Sequence, residues 1–285
     1  MTRVAVTGAA GYLGGALVAR LRAAGDDVLE LRHDGPEPFD LAGAHRPERL
    51  AGVDTLVHAA WDLRTTDPTS LWRVNVEGSR ALLDAARAAG VRRVVFVSSM
   101  SAYFGTRQVY GLTKLAVERS VLEAGGAVAR PGLVYGGPAG GMMGTLRRLA
   151  RLPLLPSLPG THQFMAHVAD VLEGLAALVH APEVDGALVG LAHPIPVSFD
   201  AVMTALAHDA GRRRLARLPV PWPVLLGLLR AGATLGLPLP VRPDSLLGLV
   251  RPAPSVPGAD LVRALGVTFR PFPDGLAQGP AILEP

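Results

Sequence analysis

The sequence predicts an α/β fold: a doubly wound parallel sheet followed by a smaller, mostly helical lobe. Three observations carry this. Short apolar segments alternate with amphipathic helical stretches through the first 130 residues. The strand segments are apolar on both faces, and a glycine-rich turn joins the first strand to the first helix.

In chain order, strands are expected at Val4–Thr7, Val28–Leu31, Thr55–Ala59, Val94–Ser98 and Ala127–Arg130, with helices between them at Gly14–Ala24, Trp72–Ala89 and Tyr110–Glu123. Right-handed crossovers join such strands, and the ligand crevice lies beyond their carboxyl ends. From residue 131 Gly and Pro become frequent, as in Gly136-Gly137-Pro138. Helical segments (Ala169–His180, Phe199–Asp209) then alternate with strand-like pieces such as Ala187–Leu191. Residues 1–130 therefore read as a dinucleotide-binding domain, and 131–285 as a substrate-binding lobe interleaved with the last strands.

Composition narrows the function. A chain of 285 residues, 49% apolar and 18% charged, can bury a large core. It has no cysteine, which removes disulfides, thiolate metal ligands and a Cys nucleophile, and no metal is expected. Lys114 is the single lysine among 28 basic residues, so arginine sets the pI of about 10.1 despite a formal charge of +4. The arginines are scattered, so no nucleic-acid partner is expected. The leucine-rich stretch Val220–Val241 is broken by Arg230 and by prolines at 221, 223, 238 and 240, which favours a buried or lid-forming helix over a membrane span. No targeting signal is read at the N-terminus; a cytoplasmic monomer or homodimer is the expectation.

Thr7-Gly8-Ala9-Ala10-Gly11-Tyr12-Leu13-Gly14 follows a strand and opens a helix. Glycines there allow a tight turn and close backbone approach to a pyrophosphate, and the helix N-terminus favours the anion. The second strand ends in Arg32-His33. A cation at that point pairs with a 2′-phosphate, so NADP(H) is preferred, with NAD(H) as the alternative.

Tyr110 and Lys114 stand at i and i+4, on one face of a helix. A nearby ammonium lowers a phenol's pKa, as a general acid/base for alcohol–ketone chemistry requires. That the one lysine of an arginine-using chain occurs here argues for a compact point charge that a planar fork could not replace. Ser99, at the end of the Val94–Ser98 strand, would polarise a substrate oxygen beside Tyr110. Asn75 is the sole asparagine, in a helix where Asn is a poor interior residue, and is read as a buried hydrogen-bonding group.

Together these pieces resemble an extended short-chain dehydrogenase/reductase of the NAD-dependent epimerase/dehydratase type. The resemblance rests on Thr7-Gly8-x-x-Gly11-x-x-Gly14, Asp40-Leu41, His58-Ala59-Ala60, Asn75-Val76-x-Gly78, Ser98-Ser99 and Tyr110-x-x-x-Lys114. It continues in Arg130-Pro131-Gly132-x-Val134-Tyr135-Gly136 and His167-Val168-x-Asp170-Val171. It implies a Rossmann fold in which Gly8, Gly11 and Gly14 hold the pyrophosphate, with Thr7, Tyr12, Leu13 and Pro131 in the same cofactor-binding set. Asp40 and Leu41 would meet the adenine, and Ala59 and Ala60 would run along the cofactor. Ser99, Tyr110 and Lys114 would be the catalytic set, with Asn75 beside them. Lys114 would also hold the nicotinamide ribose.

Two departures bear on substrate. Nucleotide-sugar enzymes of this family commonly carry Asn where this chain has Leu133, and a longer segment before the catalytic Tyr than Tyr103–Tyr110 provides. The second lobe is apolar (Met142-Met143, Leu152, Leu154, Leu155, Leu158, Trp222–Leu229, Leu235–Leu239), and Gly140–Thr161 reads as a flexible lid. A ketoreductase acting on a hydrophobic small molecule is therefore the first expectation. Arg147, Arg148 and Arg151 keep a nucleotide-sugar epimerase or dehydratase as the alternative, and a non-catalytic cofactor-binding scaffold is a third.

Overall fold

The computed structural model describes residues 1–276 apart from positions 36, 66, 138, 139, 238 and 240, so prolines 138, 238 and 240 of the sequence reading lie outside the described residues. Its first half alternates as expected. Strand β1 (Arg3–Thr7) leads into α1 (Tyr12–Ala23), then come β2 (Asp27–Leu31), β3 (Thr55–His58), and α2 (Pro68–Trp72), which continues through a π turn (Arg73–Glu77) into α3 (Gly78–Ala88). Strand β4 (Arg93–Val97), helix α4 (Val109–Glu123) and strand β5 (Ala127–Pro131) follow.

The second half contributes β6 (Leu133–Tyr135), α5 (Gly141–Leu149), β7 (Leu154–Ser157), β8 (His162–Gln163), β9 (Met165–His167) and α6 (Val168–His180). After these come β10 (Leu188–Leu191), β11 (Val197–Ser198), α7 (Phe199–Asp209), β12 (Ala216–Pro219), α8 (Trp222–Thr234), α9 (Pro243–Val250) and α10 (Ala259–Ala264). Strand β10 joins the main sheet, whose six parallel strands run β10-β5-β4-β3-β1-β2. The order reverses between β1 and β3, and a ligand crevice opens at that switch point.

Both sheet faces are covered, which is why the strands read as unbroken apolar runs. Val4, Val6, Val57, Val95 and Val97 face α1 and α6 in one core; Ala5 and Leu56 face α3, and Phe96 packs with Val117 and Val121 of α4, on the other side. A separate core lies under α5, α7, α8 and α9, built from Tyr135, Met143, Leu146, Leu155, Met165, Phe199, Val202, Leu226, Leu229 and Leu246.

Two expectations change here. Gly140–Thr161 is not a loose lid: it forms α5 and β7 and buries Met143, Leu146, Ala150, Leu155 and Leu158. Its apolar residues are held by packing, so most of them are core and not substrate wall. The leucine-rich Val220–Val241 segment forms α8, which buries Leu226, Leu229 and Gly232 and leaves Val224 and Leu228 in solvent. Among the described residues no helix is long and apolar enough to cross a membrane.

Candidate active site

The glycine turn has the shape a phosphate requires. Gly8 has φ +68, and a Cβ on Gly14 would stand 2.2 Å from the Gly8 carbonyl oxygen, so neither position accepts a side chain. Gly11 caps α1 with no side-chain hydrogen bond, which leaves first-turn amides to an anion. A dinucleotide fits this cradle. Tyr12 is part-exposed, with its hydroxyl against Gly137, and Leu13 packs on the main core. Burial pushes the Tyr12 phenol up to about 12, against the pull of Arg147.

Thr7 is fully buried and acts through its neighbours. Its Oγ1 accepts from the backbone N–H groups of Ala59 and Ala60 at 3.1 Å and reaches His58 Nδ1 at 2.9 Å. His58 Nε2 meets Ser79 Oγ at 2.8 Å, and Ser79 donates to the Asn75 carbonyl. One assignment gives every atom a partner: Thr7 donates to Nδ1, and the Nε2–H of a neutral ring donates to Ser79. Burial, reinforced by the Lys114 charge, lowers the His58 pKa to about 3. This network fixes the Ala59-Ala60 backbone just beyond the carboxyl end of β3.

Asn75 sits in the π turn, buried, and its carboxamide is engaged by the loop after β3: Oδ1 accepts from Asp62 N at 2.7 Å and Nδ2 donates to Asp62 O at 3.1 Å. Oδ1 and Nδ2 of Asn75 are thus both engaged by one backbone segment, which ties the π turn to the loop after β3. Leu41 is core, its carbonyl pressed against Gly78, while Asp40 is exposed and closes its own turn onto Ala42 N. Pro131 is buried, and its carbonyl accepts from Met100 N.

At the end of β2, Arg32 does not stand free. Asp34 takes its Nε and Nη2 at 2.9 and 3.0 Å, and Glu30 takes Nη1 at 3.2 Å, while His33 is exposed. Acidic residues two positions away on either side make this cluster, which sequence adjacency alone explains.

Tyr110 opens α4 and Lys114 follows one turn later. Gly111 lets this helix press on the loop before it: a Cβ there would stand 2.3 Å from the Ser101 carbonyl oxygen. Ser99 adjoins Tyr110 and pulls its phenol down, but burial is the larger effect and raises it to about 12. The expected lowering by Lys114 is therefore absent. Lys114 Nζ is 5.9 Å from the Tyr110 ring centroid, donates to Val97 O at 2.8 Å, and lies over the Trp61 ring at 3.7 Å and the Phe96 ring at 4.7 Å. Burial holds its pKa well below the usual lysine value, and Glu118 opposes this. Desolvation outweighs the Ser99 hydrogen bond at Tyr110 and the Glu118 charge at Lys114.

The sequence reading missed three participants. Glu118, one turn beyond Lys114 on the same face, is buried; it pairs bidentately with Arg130 and accepts from Ser98 Oγ. The stripe 110, 114, 118 is the signal that could have found it. Trp61 follows the Ala59-Ala60 turn directly and stands edge-on to Tyr110 at 6.3 Å, with a buried indole N–H that has no partner among the described residues. Asp244 of α9 caps the helix that carries Tyr110 from the second lobe: Val109 N and Tyr110 N donate to its carboxylate at 2.7 and 3.2 Å, and Gln108 donates to its carbonyl at 2.9 Å. No local signal announces it.

Arg147 is held by Asp209 at 3.2 Å, and Arg148 donates to Thr145. A cavity of about 920 Å³ lies between α7 and Phe272–Leu276, lined by Asp200, Thr204, His208 and Arg217 and by no residue of the glycine turn or of the Tyr110 cluster.

Residues 4–186 match the model of the NAD dependent epimerase/dehydratase family. The chain is 34% identical to a ceramide reductase of Caulobacter vibrioides over 253 residues, 81% of this chain and 76% of that protein. It is 30% identical over 248 residues to a 4-hydroxy-2-methyl-3-oxo-4-farnesyl-3,4-dihydroquinoline-1-oxide ketoreductase of Stigmatella aurantiaca, covering 73% of each chain. Among solved structures, dTDP-glucose 4,6-dehydratase from Streptomyces venezuelae with NAD bound superposes with a TM-score of 0.71 at 20% identity, over 99% of this chain and 96% of that one.

Proposed function

The chain belongs to the NAD dependent epimerase/dehydratase family and is an NAD(P)-dependent oxidoreductase of the extended short-chain dehydrogenase/reductase type; on that premise we propose that it reduces the ketone of a hydrophobic small molecule. The observation that carries this reading is the Tyr110 phenol beside Ser99, with Lys114 one turn along the same helix and over the ring of Trp61, which follows the Ala59-Ala60 pair packed on Gly8. Two relatives with long matches are named for reductions of lipid-like molecules, a ceramide and a farnesylated quinoline oxide. The apolar Leu133 and the pairing of Arg147 with Asp209 weigh against a diphosphate substrate.

A reduced nicotinamide cofactor supplies the hydride for the carbonyl carbon. The pyrophosphate would rest on Gly8, Gly11 and Gly14, and Lys114, with one N–H donated to Val97 O, would turn its remaining N–H groups to the nicotinamide ribose. Tyr110 is protonated at neutral pH and gives its proton to the carbonyl oxygen as the alkoxide develops. The Ser99 hydroxyl donates to the same oxygen. The ammonium then stabilises the phenolate left behind, a role it performs only after charge appears.

NADP(H) is the proposed cofactor form. The ion pairs that occupy Arg32 are part-exposed and weak, so a dianionic 2′-phosphate can draw the guanidinium away from Asp34. A second reading, NAD(H) with Asp34 on the ribose diol, is favoured by that same Arg32–Asp34 contact.

The test is stoichiometric NADPH consumption with a long-chain ketone. Tyr110→Phe should lose about 100-fold or more in kcat while still binding cofactor; unchanged turnover overturns the mechanism. Turnover without net NADPH consumption supports the epimerase instead. Arg32→Asp should weaken NADPH far more than NADH, and equal losses would remove the 2′-phosphate argument.

A further inference from the structure

Helix α8 carries an apolar stripe that is left uncovered among the described residues. Val224, Leu228, Ala231 and Leu235 recur at helical spacing along its outer side, and the large ones are 61%, 66% and 75% exposed. Leu218 of β12, which leads into the helix, is 52% exposed, and Leu237 after it is 55% exposed. The opposite side of α8 is packed through Leu226, Leu229 and Gly232, so the stripe is not a helix awaiting its own core. Singly scattered exposed leucines are ordinary; a continuous row on one helix is not.

The segment that carries the stripe holds charge of one sign, and the carboxylates at its two ends, Asp209 and Asp244, are taken by Arg147 and by the backbone of Val109 and Tyr110. Residues 210–243 carry arginines at 212, 213, 214, 217, 230 and 242 and no Asp or Glu. Arg212 is tied to the Ala150 and Pro153 carbonyls and Arg217 to Thr204, while Arg213, Arg214 and Arg230 are exposed. A second copy laid on this face would bring its own arginines to a surface segment that holds no carboxylate to meet them. An apolar row flanked by arginine suits the boundary between acyl chains and anionic headgroups.

The position of the stripe is also informative. Helix α8 packs on α9, and Asp244 in the first turn of α9 caps the helix that carries Tyr110. The surface is thus two packed elements from the reacting phenol.

We propose that α8, with Leu218 and Leu237, docks this protein peripherally on an anionic lipid surface, the arginines at 213, 214 and 230 meeting the headgroups. This gives the ketone reductase reading a source of hydrophobic substrate and rests on that reading only for its purpose; binding itself needs no turnover.

The experiment is flotation of the full chain with vesicles of phosphatidylcholine alone or mixed with phosphatidylglycerol, at low and high salt. Binding is expected to the phosphatidylglycerol vesicles and to weaken with salt. Val224→Asp combined with Leu228→Asp should abolish it. Arg213→Gln combined with Arg214→Gln should lower partitioning by about 25-fold, or about five-fold per charge. All four positions are exposed, and reduction of a short soluble ketone should be unchanged in both variants, which shows that they fold. Absence of flotation, equal binding to phosphatidylcholine alone, or binding undiminished in the aspartate variant overturns the proposal. So does a dimer that the aspartate variant dissolves, since that would assign the face to a second copy. If flotation succeeds and no ketone is reduced, the docking surface stands and the reductase reading falls.

Discussion

His58 should make the fold acid-sensitive by an amount that can be worked out. The ring is fully buried and neutral, with both nitrogens paired to Thr7 and Ser79, and its pKa is lowered to about 3 from 6.5. A group depressed in the folded state contributes stability above its unfolded pKa and loses it as pH falls toward the folded one. The window is therefore about pH 6.5 down to about pH 3. Integration over the gap gives about 5 kcal/mol in full, and about 2 kcal/mol between about pH 7.5 and about pH 5. For a chain of this length that is about 3 °C in Tm. The assay is urea unfolding at the two pH values for the native chain and for His58→Gln. His45 and His167 are also lowered by burial, so the native chain should lose more than the His58 share. The diagnostic quantity is the difference: His58→Gln should lose about 2 kcal/mol less than the native chain over this interval. Equal losses in the two proteins would refute the argument, as would a His58 ring that titrates above about pH 5 by NMR.

Three further outcomes are expected. Glu118→Gln leaves Arg130 buried without its charge partner, and should cost about 3–5 kcal/mol, or about 5–8 °C in a thermal melt; replacing both residues by apolar ones should recover most of it. Asp244→Ala uncaps the catalytic helix from across the lobes, costing about 1 kcal/mol by urea unfolding and lowering kcat more than it raises the cofactor KM; Asp244→Asn should recover part. Gly14→Ala drives a methyl onto the Gly8 carbonyl and should lower cofactor affinity at least about ten-fold by fluorescence titration, with ketone affinity little changed.

The elements readable in the sequence are those whose causes are local. Strands covered on both faces show as apolar runs, a phosphate turn shows as glycines between a strand and a helix, and Tyr110 and Lys114 share a face because 3.6 residues make a turn. The family follows from such pieces in order along residues 4–186. Even Glu118 was within reach of the same periodicity.

Contacts between distant segments were decided by the tertiary structure. Asp244 reaches the start of α4 from more than 130 residues away. Asn75 found its partner in the backbone of Asp62, which no composition argument supplies. The protonation of Tyr110 also turned on packing: spacing placed Lys114 one turn away, but burial set the direction, raising the phenol against the Ser99 hydrogen bond and lowering the lysine against the Glu118 charge. The leucines of α8 show the same division. Sequence gave them a helical period, and only the packing of neighbouring elements determined which of them would be left facing outward.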